Sequence, residues 1–258
     1  MKNKEPRFDE VINLLKQAGQ TGMAAELEEM NDSNALNDIS PLSLLEKITT
    51  AQLIKNHNSA TLRYTRQAHL YWPSAELTGI EYKPDRKLDK QYIDRLGTND
   101  YIRYQQNLFV LGPTGSGKTF LLSALGNNAC REQFSVRYFV LTDFLYECEK
   151  AEMSGRLDKY LSRLSNMNLI MFDDFLLTSI TQKQAEYIYL LLVKKPRTDK
   201  KKAYIIGSQL MKAEMYNRLR DCSASLADTI IDRLTARSQL IEIGGESMRR
   251  ENGSEVQA

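Results

Sequence analysis

The sequence predicts an α/β protein in which helices wind a five-stranded parallel sheet, preceded by a small helical N-terminal domain. Three observations predict it. From Asn107 onward, short apolar runs alternate with segments of helical composition. The string Gly112-Pro113-Thr114-Gly115-Ser116-Gly117-Lys118-Thr119 stands where the first run gives way to the first helical segment. Ahead of both, residues 1–70 show helical spacing and turn signals and no such alternation.

The elements follow in order. Phe8, Val11, Ile12, Leu14 and Leu15 have helical spacing, and Gly19 and Gly22 are expected to break that helix. Ser40-Pro41 is a helix start, with Ser as N-cap and Pro at the first helical position, and Leu42, Leu45 and Ile48 continue a stripe into a helix expected to reach the sixties. Residues 1–70 are therefore assigned to a helical domain that contacts DNA, a partner or a neighbouring copy. Pro73, Gly79, Pro84 and Gly97 punctuate residues 71–106, expected as a linker with one short helix. Strands are expected at Leu108 to Leu111, Val136 to Leu141, Leu169 to Asp173, Ala203 to Gly207 and Leu240 to Ile243, with helices near 118–130, 143–165, 181–194 and 212–236. Thr181 and Gln184 form a capping box at the start of the third of these helices. Residues 107–250 make the sheet domain and 251–258 a flexible tail.

Composition narrows the function classes. With 258 residues, 42% apolar and 26% charged, the chain has the makeup of an ordinary folded protein of one large domain with an appendage. Its longest apolar runs, such as Tyr187 to Val193, fall far short of a bilayer span, and the charged start lacks a secretory pattern, so a cytoplasmic protein with no membrane partner is expected. Cys130, Cys148 and Cys222 form no C-x-x-C pair and lie away from His57 and His69, which argues against zinc and a disulfide framework. The net charge of +2 is uneven, with 5 basic and 9 acidic residues in the first fifty.

The glycine-rich string matches G-x-x-x-x-G-K-S/T in the strand-to-helix context the chemistry requires. Glycines let backbone N–H groups wrap phosphates, Lys118 reaches the terminal phosphates, and the Thr119 hydroxyl holds Mg2+. Leu169 to Phe172 is an apolar strand that delivers Asp173 and Asp174 to the same end of the sheet, Asp173 as a magnesium ligand and Asp174 to orient the attacking water. Ser208 and Gln209 end the fourth strand beside the phosphates. Arg233 closes an amphipathic helix, as a finger into a neighbouring subunit or as a surface ion pair.

Together with Asn107, the string Ile231-Asp232-Arg233-Leu234 and the closing Gly245-Glu246-Ser247-Met248-Arg249-Arg250, these residues resemble the IstB transposition helper proteins over Leu36 to Arg250. That family belongs to the AAA+ ATPases, in the clade of the DnaA initiator and the DnaC helicase loader. The resemblance implies an ATPase using ATP and Mg2+, homo-oligomers bridged by ATP, binding and bending of duplex DNA, and recruitment and stimulation of an IstA-type transposase for an insertion sequence. It implies Lys118, Asp174 and Arg233 as catalytic residues, with Asp174 where AAA+ proteins at large carry Glu. Gln209 or Ser208 becomes the first sensor, and Arg249 a sensor-2-like contact. With few residues after Arg250, the helical lid of most AAA+ proteins is not expected.

Two basic stripes are candidate DNA contacts. Arg156, Lys159 and Arg163 share a helical face, with Lys150 just upstream, in the region that the initiator-type AAA+ proteins this chain resembles use for DNA, and Glu152 and Asp158 lie nearby as potential neutralisers. Lys55, Arg63 and Arg66 belong to an acid-free stretch with Tyr64, Tyr71 and Trp72. The lysine-rich run from Lys194 to Lys202 is expected as a solvated loop. A DnaC-like helicase loader, a small-molecule P-loop kinase and a nucleotide-gated adaptor stay open as alternatives.

Overall fold

The computed structural model describes residues 7–196 and 200–245 and divides into two compact units, residues 1–63 and 64–258. In the smaller unit, α1 (Phe8–Gln17) and α2 (Thr21–Asp32) pack with the first part of α3 (Pro41–Ala68), and Ile12, Ala24, Leu27 and Ile48 form the core. Ser40 caps α3 by accepting from the Ser43 N–H at 3.2 Å. The turn after α1 falls at Gly19, which has φ +74°; Gly22, expected to be a breaker, lies inside α2. A Cβ there would come within 2.8 Å of the Gln52 Cα, so this glycine allows α2 to lie against α3.

The larger unit holds the sheet. Its strands are β1 (Asn107–Leu111), β2 (Val136–Val140), β3 (Leu169–Asp173), β4 (Ala203–Ser208) and β5 (Ser238–Glu242), all parallel in the order β2-β3-β4-β1-β5. β1, β3 and β4 are buried along their whole length, which is why they read as unbroken apolar runs, whereas β5 at the edge leaves Leu240 exposed. The period-two alternation sorts side chains onto two faces: Leu108, Val110, Met171 and Ile205 join one core, and Phe109, Leu111, Phe172 and Ile206 the other. The first core is covered by α6 (Lys118–Arg131), the second by α7 (Leu141–Met153), α8 (Leu157–Ser165), α9 (Gln182–Val193), α10 (Lys212–Arg220) and α11 (Ala224–Thr235). The Thr181–Gln184 capping box forms as expected.

Three regions depart from the sequence expectation. Residues 71–106 do not run free as a linker: Ile80, Ile93, Leu96, Tyr101 and Ile102 are buried in the first core, and the segment forms two short helices, α4 (Lys90–Leu96) and α5 (Asp100–Arg103). The helix expected over 143–165 is broken at Gly155, φ +66°, and that over 212–236 is broken before Ser223, which caps α11. The lysine-rich run is not wholly solvated either. Lys194 pairs with Asp158, and the Lys202 ammonium is buried 4.9 Å from the Tyr204 ring centroid, where desolvation lowers its pKa to about 7. Among the described residues no helix is long and apolar enough to cross a membrane.

Candidate functional site

Because β1, β3 and β4 end in register, their last residues and the loops that follow converge on one edge of the sheet. The loop after β1 turns through Gly115 (φ +80°) and Gly117 (φ +92°) before α6 begins at Lys118. Gly112 is required for a different reason: a Cβ would lie 2.4 Å from the Ile243 carbonyl oxygen. The Lys118 ammonium donates to the loop's own carbonyls, Gly112 O at 2.9 Å and Pro113 O at 2.8 Å. Thr114, Gly115, Gly117, Lys118 and Thr119 line a cleft of about 870 Å³ together with Asp173, Asp174 and Gln209.

Asp173 is 2% exposed and sits at the centre of this arrangement. One carboxylate oxygen accepts from the Thr119 hydroxyl at 2.6 Å and from the Tyr138 hydroxyl at 3.0 Å; the other accepts from the Asp174 N–H at 3.0 Å. Burial, and then the adjoining Asp173 carboxylate, push the Tyr138 phenol far above its ordinary pKa and keep it a donor. A hydroxyl and a carboxylate at this separation form the hard oxygen pair that suits Mg2+, which usually takes one or two protein oxygens and completes its shell with phosphates and water. Asp174 has φ +49° and Leu176 φ +57°, uncommon for residues with side chains. The loop is pinned in that shape: the Phe175 N–H donates to Gly207 O, the Ser208 hydroxyl donates to Phe175 O at 2.8 Å, and Arg218 Nη1 donates to Leu176 O at 2.6 Å.

Of the residues expected here, Gly112, Pro113 and Ser116 shape the loop, while Ser208 has its hydroxyl committed to Phe175 O and to the Leu210 N–H, leaving Gln209 as the strand-end residue that lines the cleft. Arg233 is exposed at the end of α11. The backbone carbonyls of Arg233 and Leu234 accept from Asn107 Nδ2 at 3.2 and 3.0 Å, so the first residue of β1 fixes the helix end that presents the guanidinium. Arg249 lies outside the described residues. Sequence reasoning missed Tyr138, Gly207, Arg218 and Arg86. A Cβ at Gly207 would stand 2.8 Å from Asp173 Oδ1. Arg86 is buried in what reads as a punctuated linker.

The four basic residues of the α7–α8 region come together as well. Lys150, Arg156, Lys159 and Arg163, all exposed, line one groove of about 590 Å³ that opens where Gly155 turns the chain. The nearby acids are engaged elsewhere: Glu152 pairs with Lys183 at 2.7 Å and accepts from the Tyr187 hydroxyl, and Asp158 pairs with Lys194. Glu147 remains in the groove, holding Tyr160 and Arg137. Lys55, Arg63 and Arg66 are exposed on α3.

The family model of the IstB-like ATP-binding proteins matches residues 13–256. This chain belongs to that family. An insertion-sequence ATP-binding protein of Sinorhizobium fredii, y4uH, is 31% identical over 93% of this chain and 94% of its own length. The ATP-binding protein of insertion sequence IS1162 from Pseudomonas fluorescens is 30% identical over 66% of this chain and 74% of its own. Among solved structures, the AMPPCP-bound DnaA of Aquifex aeolicus superposes with a TM-score of 0.55 over 73% of this chain and 57% of its own, at 20% identity. The IstB-like chain thus has the fold of AAA+ P-loop ATPases, and its family binds ATP.

Proposed function

We propose that this IstB-like protein is an ATPase that grips and bends duplex DNA as an ATP-bridged homo-oligomer and delivers it to the transposase of its insertion sequence. The observation that carries the DNA part is the α7–α8 groove, where four cationic side chains converge and the acids Glu152 and Asp158 are paired away. Cations in that arrangement neutralise backbone phosphates without reading sequence. The relatives named for insertion sequences favour a transposase over a replicative helicase as the partner.

The chemistry is hydrolysis of the terminal phosphoanhydride. Backbone N–H groups of Gly115 to Thr119 and the Lys118 ammonium hold the phosphates, Lys118 leaving its loop carbonyls to do so. Thr119 and Asp173 hold Mg2+, which supplies charge neutralisation at the phosphates. Asp174 orients the attacking water, Gln209 contacts the terminal phosphate, and Arg233 reaches the cleft of the neighbouring copy. Phosphate release tests the reading. Asp174→Asn and Arg233→Ala should each lose hydrolysis by about 100-fold or more while still binding ATP. Mixing the two proteins should restore part of it, because a wild-type Asp174 then meets a wild-type Arg233 across an interface. Mixtures as inactive as their components would contradict catalysis in trans.

A further inference from the structure

We propose that Arg86 is a positioning residue of the nucleotide site, the pin of a clasp that ties the phosphate-binding loop to the chain leaving β5. Arg86 is 6% exposed and its guanidinium bridges two segments: Nη2 donates to Ser116 O of the loop at 2.9 Å, and Nη1 to Glu81 O at 2.8 Å. The Arg86 carbonyl accepts from the Gly244 N–H at 2.9 Å, just beyond β5. The strand side of the clasp is equally tight. A Cβ on Gly244 would lie 2.5 Å from Asp85 O, one on Gly245 2.7 Å from Asp85 Oδ2, and one on Gly112 2.4 Å from Ile243 O. Three glycines thus let the loop, the 85–86 turn and the exit of β5 share one small volume.

A buried cation held by two carbonyls does more than fill space. Ser116 O and the Gly117 N–H are the two ends of one peptide of the phosphate-binding loop, so holding the carbonyl fixes the direction of that N–H. Arg86 also lines the cleft, and its Nε and the Ser116 hydroxyl are buried with no hydrogen-bond partner among the described residues. The inference rests on ATP binding, which membership of the family establishes, and is independent of the DNA and transposase reading.

The test is calorimetric titration of ATP and of ADP, each with Mg2+, into the full chain and into Arg86→Ala, Gly244→Ala and the double variant, with thermal melts lacking nucleotide to confirm folding. Arg86→Ala should weaken both nucleotides by about tenfold or more, the scale of one charge-assisted hydrogen bond, and millimolar guanidinium ion should recover affinity where equal sodium does not. Gly244→Ala, which pushes Asp85 and Arg86 away from the strand, should weaken binding in the same direction. The double variant should be little worse than Arg86→Ala alone, because both break one clasp. Wild-type affinity in a folded Arg86→Ala, no response to guanidinium, or fully additive losses in the double variant would each overturn the proposal. If Gly244→Ala fails to fold, the Arg86→Ala affinity and its guanidinium response decide alone.

Discussion

Asn107→Asp changes one amide nitrogen to oxygen and removes the donor from two hydrogen bonds. The side chain, 6% exposed, accepts from the Tyr204 N–H at 2.9 Å and donates to the carbonyls of Arg233 and Leu234 at 3.2 and 3.0 Å. The introduced carboxylate keeps the first bond and sets negative oxygens against both carbonyls. Two lost bonds cost about 1 kcal/mol each, and an unpaired buried charge adds more, so the expected loss is about 3–5 kcal/mol at neutral pH. For a unit of this size that corresponds to roughly 10 °C in Tm. The folded-state pKa of the introduced carboxyl lies above its unfolded value, because burial and the carbonyls disfavour the charge; the penalty is full above the folded pKa and shrinks as pH falls through it. Urea unfolding followed by circular dichroism at pH 7.5 and pH 5 measures both. A loss below about 1 kcal/mol, or one that grows on acidification, would refute the role given to Asn107.

Other consequences can be checked on the same preparations. Gly207→Ala places a Cβ 2.8 Å from Asp173 Oδ1 and 3.1 Å from Leu122 Cδ2, so it should cost about 1–3 kcal/mol and weaken ATP binding more with Mg2+ than with a chelator present, as calorimetry in both buffers would show. Arg156→Ala and Lys159→Ala should each lower the slope of log affinity for duplex DNA against log salt by about 1, with melting unchanged within about 1 °C; an unchanged slope would remove that residue from the phosphate contacts. Tyr138→Phe deletes the 3.0 Å bond to Asp173 and should weaken Mg2+-dependent ATP binding a few-fold, whereas an unchanged affinity would make the phenol dispensable.

How much was legible follows from how local each signal is. The five strands stand within about two residues of their expected limits, because three are buried on both faces and read as apolar runs, and the changes to helix after β1 and β3 are marked by glycine, Asp-Asp and a capping box. The shared placement of the glycine-rich loop, Thr119, Asp173, Asp174 and Gln209 in one cleft was legible for the same reason, since strand ends deliver them to one edge. Arg86, Tyr138, Gly207 and Arg218 were not, because each acts on a residue far away in sequence and no spacing announces it. Residues 71–106 misled because prolines and glycines mark turns equally well in a linker and in a segment packed on a sheet. Gly155 carried the missing sign of the groove: a left-handed residue between two helices folds one basic stripe into a concave surface.

The proposed function, an ATP-bridged homo-oligomer that grips duplex DNA, is tested most directly by binding to a fluorescent random-sequence duplex with ATP, ADP or no nucleotide, beside Lys118→Ala, at two salt concentrations. Cooperative binding that requires ATP, weakens steeply with salt and disappears in Lys118→Ala is expected. Binding that is equal in all three nucleotide states, or absent from all of them, would contradict it.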